Sequence, residues 1–338
     1  DNVTVSGQYE STATVAADRN VSFTYELTSA KVGTVALDGD VVQKVADGVN
    51  AFTYTAQLVD GNGNPIRQAD LVVNWTQDKG NAVVLSATSS KTDATGKATI
   101  TLTSTKKAVD DVLVSAQYAG TAKVDANKLI SFIYELSSAK VGTVKLDGDV
   151  VQKVADGVNN FTYTAQLVDT NGNPIRQADL VVKWTQDKGN DVALSATTSK
   201  TDADGKAVIT LTSTKKAAEN IRVSAQYAET AVVPANKTVS FIFNINMAKV
   251  GTVELNGAVT EKVADGTSSF TYTAQLVDSN GNPVRKANLD VKWTQDKGAA
   301  VKLSSVVSKT DADGKATITL ISTTTAVDDV RVSAQYQE

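Results

Sequence analysis

The chain has 338 residues, 41% of them hydrophobic and 21% charged, and carries a net charge of −4 at pH 7. That balance belongs to folded protein rather than to a disordered chain, and it offers no basic patch for nucleic acid or an anionic membrane. Cysteine and histidine are both absent, which excludes disulfides, thiol catalysis and Cys-based zinc sites and removes the usual neutral-pH general base, so no enzyme is expected.

No apolar run is long enough to span a membrane and no signal peptide is present, so direct membrane insertion is not expected. The opening on Asp1 reads as a piece cut from a longer chain.

The chain repeats itself with a period of 109 residues. Trp75, Trp184 and Trp293 keep that step, as do the Ala-Lys-Val-Gly-Thr-Val motifs beginning at Ala30, Ala139 and Ala248. The Asn-Gly-Asn-Pro motifs ending at Pro65, Pro174 and Pro283 keep it too. A chain built this way repeats one small domain. In chain order, residues 1–29 are expected to be the last two strands of a preceding repeat, because Val5–Tyr9 matches Val114–Tyr118 and Val21–Tyr25 follows as a seventh strand. Repeats at 30–138 and 139–247 are expected to be complete. The repeat at 248–338 is expected to lack its final strand.

The middle repeat represents all three. Its first strand is expected at Lys140–Leu146 and its second at Phe161–Val168, with Phe161, Tyr163, Ala165 and Leu167 on one face. The third runs to Trp184 with Leu180, Val182 and Trp184 inward, and a fourth spans 192–196. The fifth turns Ala207, Ile209 and Leu211 to one side. The sixth carries Ile221, Val223, Ala225 and Tyr227 inward, and the seventh holds Val239, Phe241 and Phe243. Alternation with a period of two means one buried face and one wet face, the pattern of antiparallel sheets. Asp169–Pro174 and Asp202–Gly205 read as turns, since Asn-Gly and Asp-Gly tolerate positive φ. Seven strands with a buried Trp on the third indicate an all-β chain of tandem immunoglobulin-like, seven-stranded β-sandwiches, held by core contacts in place of a disulfide.

The junctions Glu26–Ser29, Glu135–Ser138 and Asn244–Met247 contain neither Gly nor Pro. Each seventh strand is therefore expected to run almost straight into the next first strand, arranging the sandwiches end to end as a stiff rod. Strands of about eight residues rising ~3.3 Å each, with their loops, give ~35–40 Å per unit and on the order of 110 Å for three.

The runs VADGVNNFTYTAQLVDTNGNPI, VVKWTQDKG, SKTDADGKAVITLTST and IRVSAQY resemble the bacterial Ig-like repeats of the intimin/invasin family of outer-membrane adhesins (inverse autotransporter passengers). The carriers are Ala155-Asp156-Gly157, the Asn-Gly-Asn-Pro turn, Thr-Asp-Ala-Asp-Gly-Lys-Ala and Val223–Ala225, recurring in all three repeats with Thr95 in place of the second Asp in the first. The resemblance covers essentially the whole chain. It implies an extracellular passenger on a Gram-negative surface, anchored by an N-terminal β-barrel, in which distal domains, often lectin-like, bind the host.

Asp169, Asn171 and Asn173 have D-x-N-x-N spacing and Asp202–Gly205 contains D-x-D-G, which suits a hard cation in part. Neither has the downstream bidentate acid, so hairpin turns are the expected reading, with no metal site and no cofactor. Sequons at Asn2, Asn20, Asn74, Asn160 and Asn236 carry little weight in a bacterial chain. No lysine sits on an apolar strand face as an isopeptide would need. No base accompanies the many Ser and Thr residues, so no catalytic residues are assigned.

Over the 79 positions 30–108 against 139–217 only nine residues differ, among them Ala36/Lys145, Asn74/Lys183 and Ala82/Asp191. Such uniformity suits a spacer. The expected function is a stalk segment that projects a distal binding domain from the cell, with host contact only through that domain and neighbouring repeats as the immediate partners. The alternative is a repeat-based binding module acting by avidity, which an exposed aromatic every 109 residues would favour. Head-to-tail exchange of Val21–Glu26 between fragments is set against the plainer reading of frayed strands.

Overall fold

The structure is a computed structural model that describes residues 2–337. Asp1 and Glu338, the outer limits of the first and last expected segments, lie outside the described residues, as does the side chain of Asn2. Two compact units form: Asp1–Ala139 with Val168–Ile175, and Lys140–Leu167 with Arg176–Glu338.

In the first unit, Lys31–Leu37, Ala51–Val59, Lys97–Ser104 and Val83–Leu85 form one sheet in that order. Ser89–Lys91, Val72–Gln77, Val114–Tyr118 and Val124–Asp125 form the facing sheet. A third, small sheet places Ile130–Ile133 between Val109–Val112 and Gln43–Val45, pairing antiparallel with the former and parallel with the latter. Alternation decides the faces. Phe52, Tyr54, Ala56 and Leu58 are buried along one strand, while the threonines between them are only half-buried. Trp75 fills the centre and donates from Nε1 to Ser90 Oγ at 2.9 Å, so its one polar atom is satisfied within the core. Before Ala30, Asn2–Val3 pairs with Val21–Ser22 and Ser6–Gly7 with Val15–Ala16, short exposed ladders where longer strands were expected.

The second unit holds the same sandwich one period later. The first strand is Lys140–Leu146, as expected, and the second is Asn160–Val168, one residue longer than expected. The sixth strand is broken into Ala218–Ile221 and Val223–Tyr227. Asn220 sits at φ 52°, the left-handed region, and shifts the register between Ala218 and Ile221. Gln152–Val154, Thr198–Lys200 and Val233–Pro234 are further strands. Each is too short for its alternation to have shown. In the rest of this unit, Lys249–Leu255, Ser269–Val277, Lys315–Ser322 and Val301–Leu303 form one sheet, and Val307–Lys309, Asp290–Gln295 and Val332–Tyr336 the other.

The junctions differ from the straight passage expected of them. Leu27–Ser29, Leu136–Ser138 and Ile245–Met247 are single 3₁₀ turns. Each is closed by a backbone bond, Ala139 N to Leu136 O and Ala248 N to Ile245 O both at 3.1 Å. The chain therefore turns once before each first strand, and the residue that opens the turn is held by an aspartate.

Candidate functional site

The arrangement that recurs with the period and draws distant segments together is the Asn-Gly-Asn-Pro turn. Gly172 lies at φ 84°, which lets the hairpin close between Asp169 and Pro174. Asp169 organises the turn. Its Oδ1 accepts from Asn171 N at 2.8 Å and Asn173 N at 2.9 Å, and its Oδ2 accepts from Asn173 Nδ2 at 2.8 Å. Oδ2 also accepts from Glu135 N at 3.2 Å, which fixes the junction residue to the turn. Burial pushes the Asp169 carboxyl up, but the donors from Asn173, Glu135 and Asn171 outweigh it and hold the group below the ordinary carboxylate range.

Asn173, held in this way, is buried, with 6% of its surface exposed. Its Oδ1 accepts from Ala108 N at 2.7 Å and its Nδ2 donates to Lys106 O at 3.0 Å. Both amide protons and the carbonyl oxygen are thus used, and Lys106 is bent to φ 68° where it meets them. Asn171 donates to Ala46 O at 3.4 Å. All of these contacts lie within the first compact unit, to which the turn belongs.

Within the second unit the clasp is repeated. Asn282 Oδ1 accepts from Ala217 N at 2.7 Å, and Nδ2 donates to Lys215 O at 2.9 Å. Asn280 donates to Ala155 O at 3.1 Å, and Asp278 Oδ2 accepts from Asn244 N at 3.1 Å. Burial pushes the Asp278 carboxyl up, and bonds from Asn282, Asn244 and Asn280 more than reverse it. Phe243 and Ile245 pack on the core around Trp293, joining the 3₁₀ turn to the sandwich that follows it. At the other end of the period Asn64 is bonded to Asp60 at 3.0 Å in the same way, yet is exposed.

The turns weighed above as cation loops are therefore knit by their own backbone. Asp169 offers its oxygens to N–H donors, and Asp202 Oδ1 likewise accepts from Asp204 N and Lys206 N, each at 2.9 Å. A cation would have to displace these bonds. Among the described residues no three acidic side chains gather as a metal centre would require. Two further asparagines act in structure: Asn127 and Asn236 each accept through Oδ1 from the backbone N–H of Leu37 and Leu146 at 2.9 Å. Asn236 reads in the sequence as a sequon, and its recurrence with Asn127 at the same period is the legible signal of this role.

Residues 34–133, 143–242 and 252–338 each match the family described as bacterial Ig-like domain (group 1). The chain is 32% identical to intimin of Escherichia coli O127:H6 over 67% of its own length and 22% of intimin's. It is 26% identical to the inverse autotransporter adhesin YeeJ of Escherichia coli K12 over 82% of its length and 11% of YeeJ's. It therefore spans less than a quarter of these curated relatives. Among solved structures, the D0-D1 domain of intimin is 34% identical over 63% of this chain and 99% of that one, with a TM-score of 0.28. These matches are to adhesins with Ig-like domains, and they indicate no catalytic family. The chain belongs to the bacterial Ig-like domain family, group 1, as tandem repeats of the intimin/invasin type that bacterial adhesins carry on the outside of the cell.

Proposed function

We propose that the chain is a stalk segment of a Gram-negative surface adhesin, a spacer that holds a distal binding domain away from the outer membrane. It divides into repeats at 30–138, 139–247 and 248–338, after a segment at 1–29 that belongs to a preceding repeat. The observation that carries the reading is the recurring clasp of Asn173 on Lys106 and Ala108, and of Asn282 on Lys215 and Ala217. A spacer must resist bending at its joints, and a buried amide with every polar atom used is a stiff fastening. The immediate partners are neighbouring repeats, and host contact belongs to a distal domain. No catalytic, metal or cofactor role is proposed.

The avidity alternative called for an exposed aromatic at every period. Tyr9 and Phe23 are exposed, but their counterparts one period on are a half-buried Tyr118 and a fully buried Phe132. The test is a cell-binding assay on purified chain and on chains with residues 139–247 deleted or duplicated. The stalk reading expects no saturable binding to epithelial cells from any of them. Binding that tightens with each added period would overturn it.

A further inference from the structure

The chain contains four Asn-Gly pairs, and they sit in two kinds of surroundings. Asn62-Gly63, Asn171-Gly172 and Asn280-Gly281 belong to the recurring Asn-Gly-Asn-Pro turn. Asn256-Gly257 follows the strand Lys249–Leu255, at the place that Asp147-Gly148 and Asp38-Gly39 hold one and two periods earlier. An asparagine before glycine is open to attack by its own chain, because no Cβ hinders the approach of the glycine nitrogen to the asparagine Cγ.

In the Asn-Gly-Asn-Pro turns that nitrogen is occupied. Gly63 N, Gly172 N and Gly281 N donate to the carbonyls of Asp60, Asp169 and Asp278, each at 3.1 Å. The side-chain amides of two of them are held as well, Asn280 donating to Ala155 O at 3.1 Å and Asn171 to Ala46 O at 3.4 Å. Attack there would have to break both bonds.

At Asn256 neither restraint is present. Among the described residues no group accepts from Gly257 N. Gly257 lies at φ 95° with no heavy atom within 4 Å of where a Cβ would stand, and both residues of the pair are exposed. The openness belongs to the turn itself, since Asp38 and Asp147 are exposed too, and Gly39 and Gly148 have the same empty surroundings at φ 87°. The strand side of the turn is fixed. Asn256 N donates to Thr271 O at 2.8 Å, and Thr273 Oγ1 donates to Asn256 Oδ1 at 2.9 Å. A hydroxyl at that oxygen draws electrons from Cγ and stands where negative charge gathers when Cγ is attacked. The donor recurs with the period: Thr55 gives the same bond to Asp38 at 3.2 Å and Thr164 to Asp147 at 3.1 Å.

We propose that Asn256 is a site of self-modification, deamidating through a succinimide with Gly257 N as nucleophile and Thr273 as the donor to the oxyanion. Hydroxide takes the proton of Gly257 N, the N–Cγ bond forms, and the charge passes to Oδ1. As that intermediate collapses, Nδ2 takes a proton from water and leaves as ammonia. Water then opens the ring. Cleavage of its Cγ–N bond yields aspartate, and cleavage of its other C–N bond yields isoaspartate, with the chain running on through Cβ. The net change is amide and water to carboxylate and ammonium. The aspartate product accepts from Thr273 as Asp38 and Asp147 accept from their threonines, so the modification supplies the carboxylate that the other two turns carry already.

The test holds the folded 338-residue chain at mildly alkaline pH for days and follows each Asn-Gly peptide by mass spectrometry after digestion. Asn256 should convert about tenfold faster than Asn171 and Asn280, and in urea the three should converge on one rate. Thr273→Val should slow conversion of Asn256 about threefold to tenfold in the folded chain, the worth of one hydrogen bond in the transition state. Thr273→Ser, which keeps the hydroxyl, should convert at the parent rate, and neither substitution should matter in urea. Conversion of Asn256 no faster than that of Asn171 and Asn280 overturns the site. A folded Thr273→Val chain that converts at the parent rate, or one slowed equally in urea, overturns the part given to the hydroxyl.

Discussion

Asn173 and Asn282 are short side chains on which several segments depend. Replacing the buried Asn282 by Ala would leave Ala217 N and Lys215 O without their partners at a half-buried contact, and should cost about 1–2 kcal/mol in chemical denaturation. Asn64→Ala, on the exposed counterpart, should cost about 0.5 kcal/mol. Equal effects at the two positions would show that the clasp adds nothing beyond the turn. Asp169 and Asp278 set a pH window. Their carboxyls are held below the ordinary range, so the stability they contribute is fully present above the unfolded value of about 4 and is lost as pH falls through the lower folded value. Thermal melts should fall on acidification below about pH 4, and Asp278→Asn should flatten that dependence. The hydroxyls of Tyr54 and Tyr163 are buried without a hydrogen-bond partner, and burial pushes both phenols up. Tyr163→Phe should therefore leave the melting temperature unchanged or raise it, in contrast to the usual loss at a core tyrosine.

At the scale of elements, two glycines of positive φ separate two kinds of constraint. Gly314 is at φ 74°, and a Cβ there would meet Val284 O at 1.7 Å. Gly281 is at φ 83° with open space around it. Gly314→Ala should cost about 3 kcal/mol or more because backbone must move, and Gly281→Ala about 1–2 kcal/mol for the left-handed conformer alone. Denaturation of the two variants side by side checks the order, which strain from φ alone would erase. The long strands were legible because their buried residues alternate: Phe161, Tyr163, Ala165 and Leu167 are all buried. The parallel strand Gln152–Val154 was not legible, since three residues carry no period and its partner Val239–Ile242 lies far along the chain. The break at Asn220 was hidden too, because Ile221, Val223 and Ala225 keep their alternation across it. The clasp was half legible. Asn-Gly-Asn-Pro announced a turn, whereas its acceptors Lys106 O and Lys215 O are backbone groups 67 residues upstream that no side-chain pattern marks.

At the scale of the whole molecule, the proposed stalk role makes one mechanical demand: joints held by clasps of protein groups alone, with no cation. The repeats' near-identity and the engagement of Asp169 and Asp202 by N–H donors both support it. The most direct measurement is small-angle scattering of the chain at dilution, first with calcium and then with chelator. The proposed stalk role predicts scattering from an elongated particle on the order of 110 Å long, from strand rise and number, with the same profile in both conditions. A compact or freely bending particle, or one that stiffens only with calcium, would contradict it.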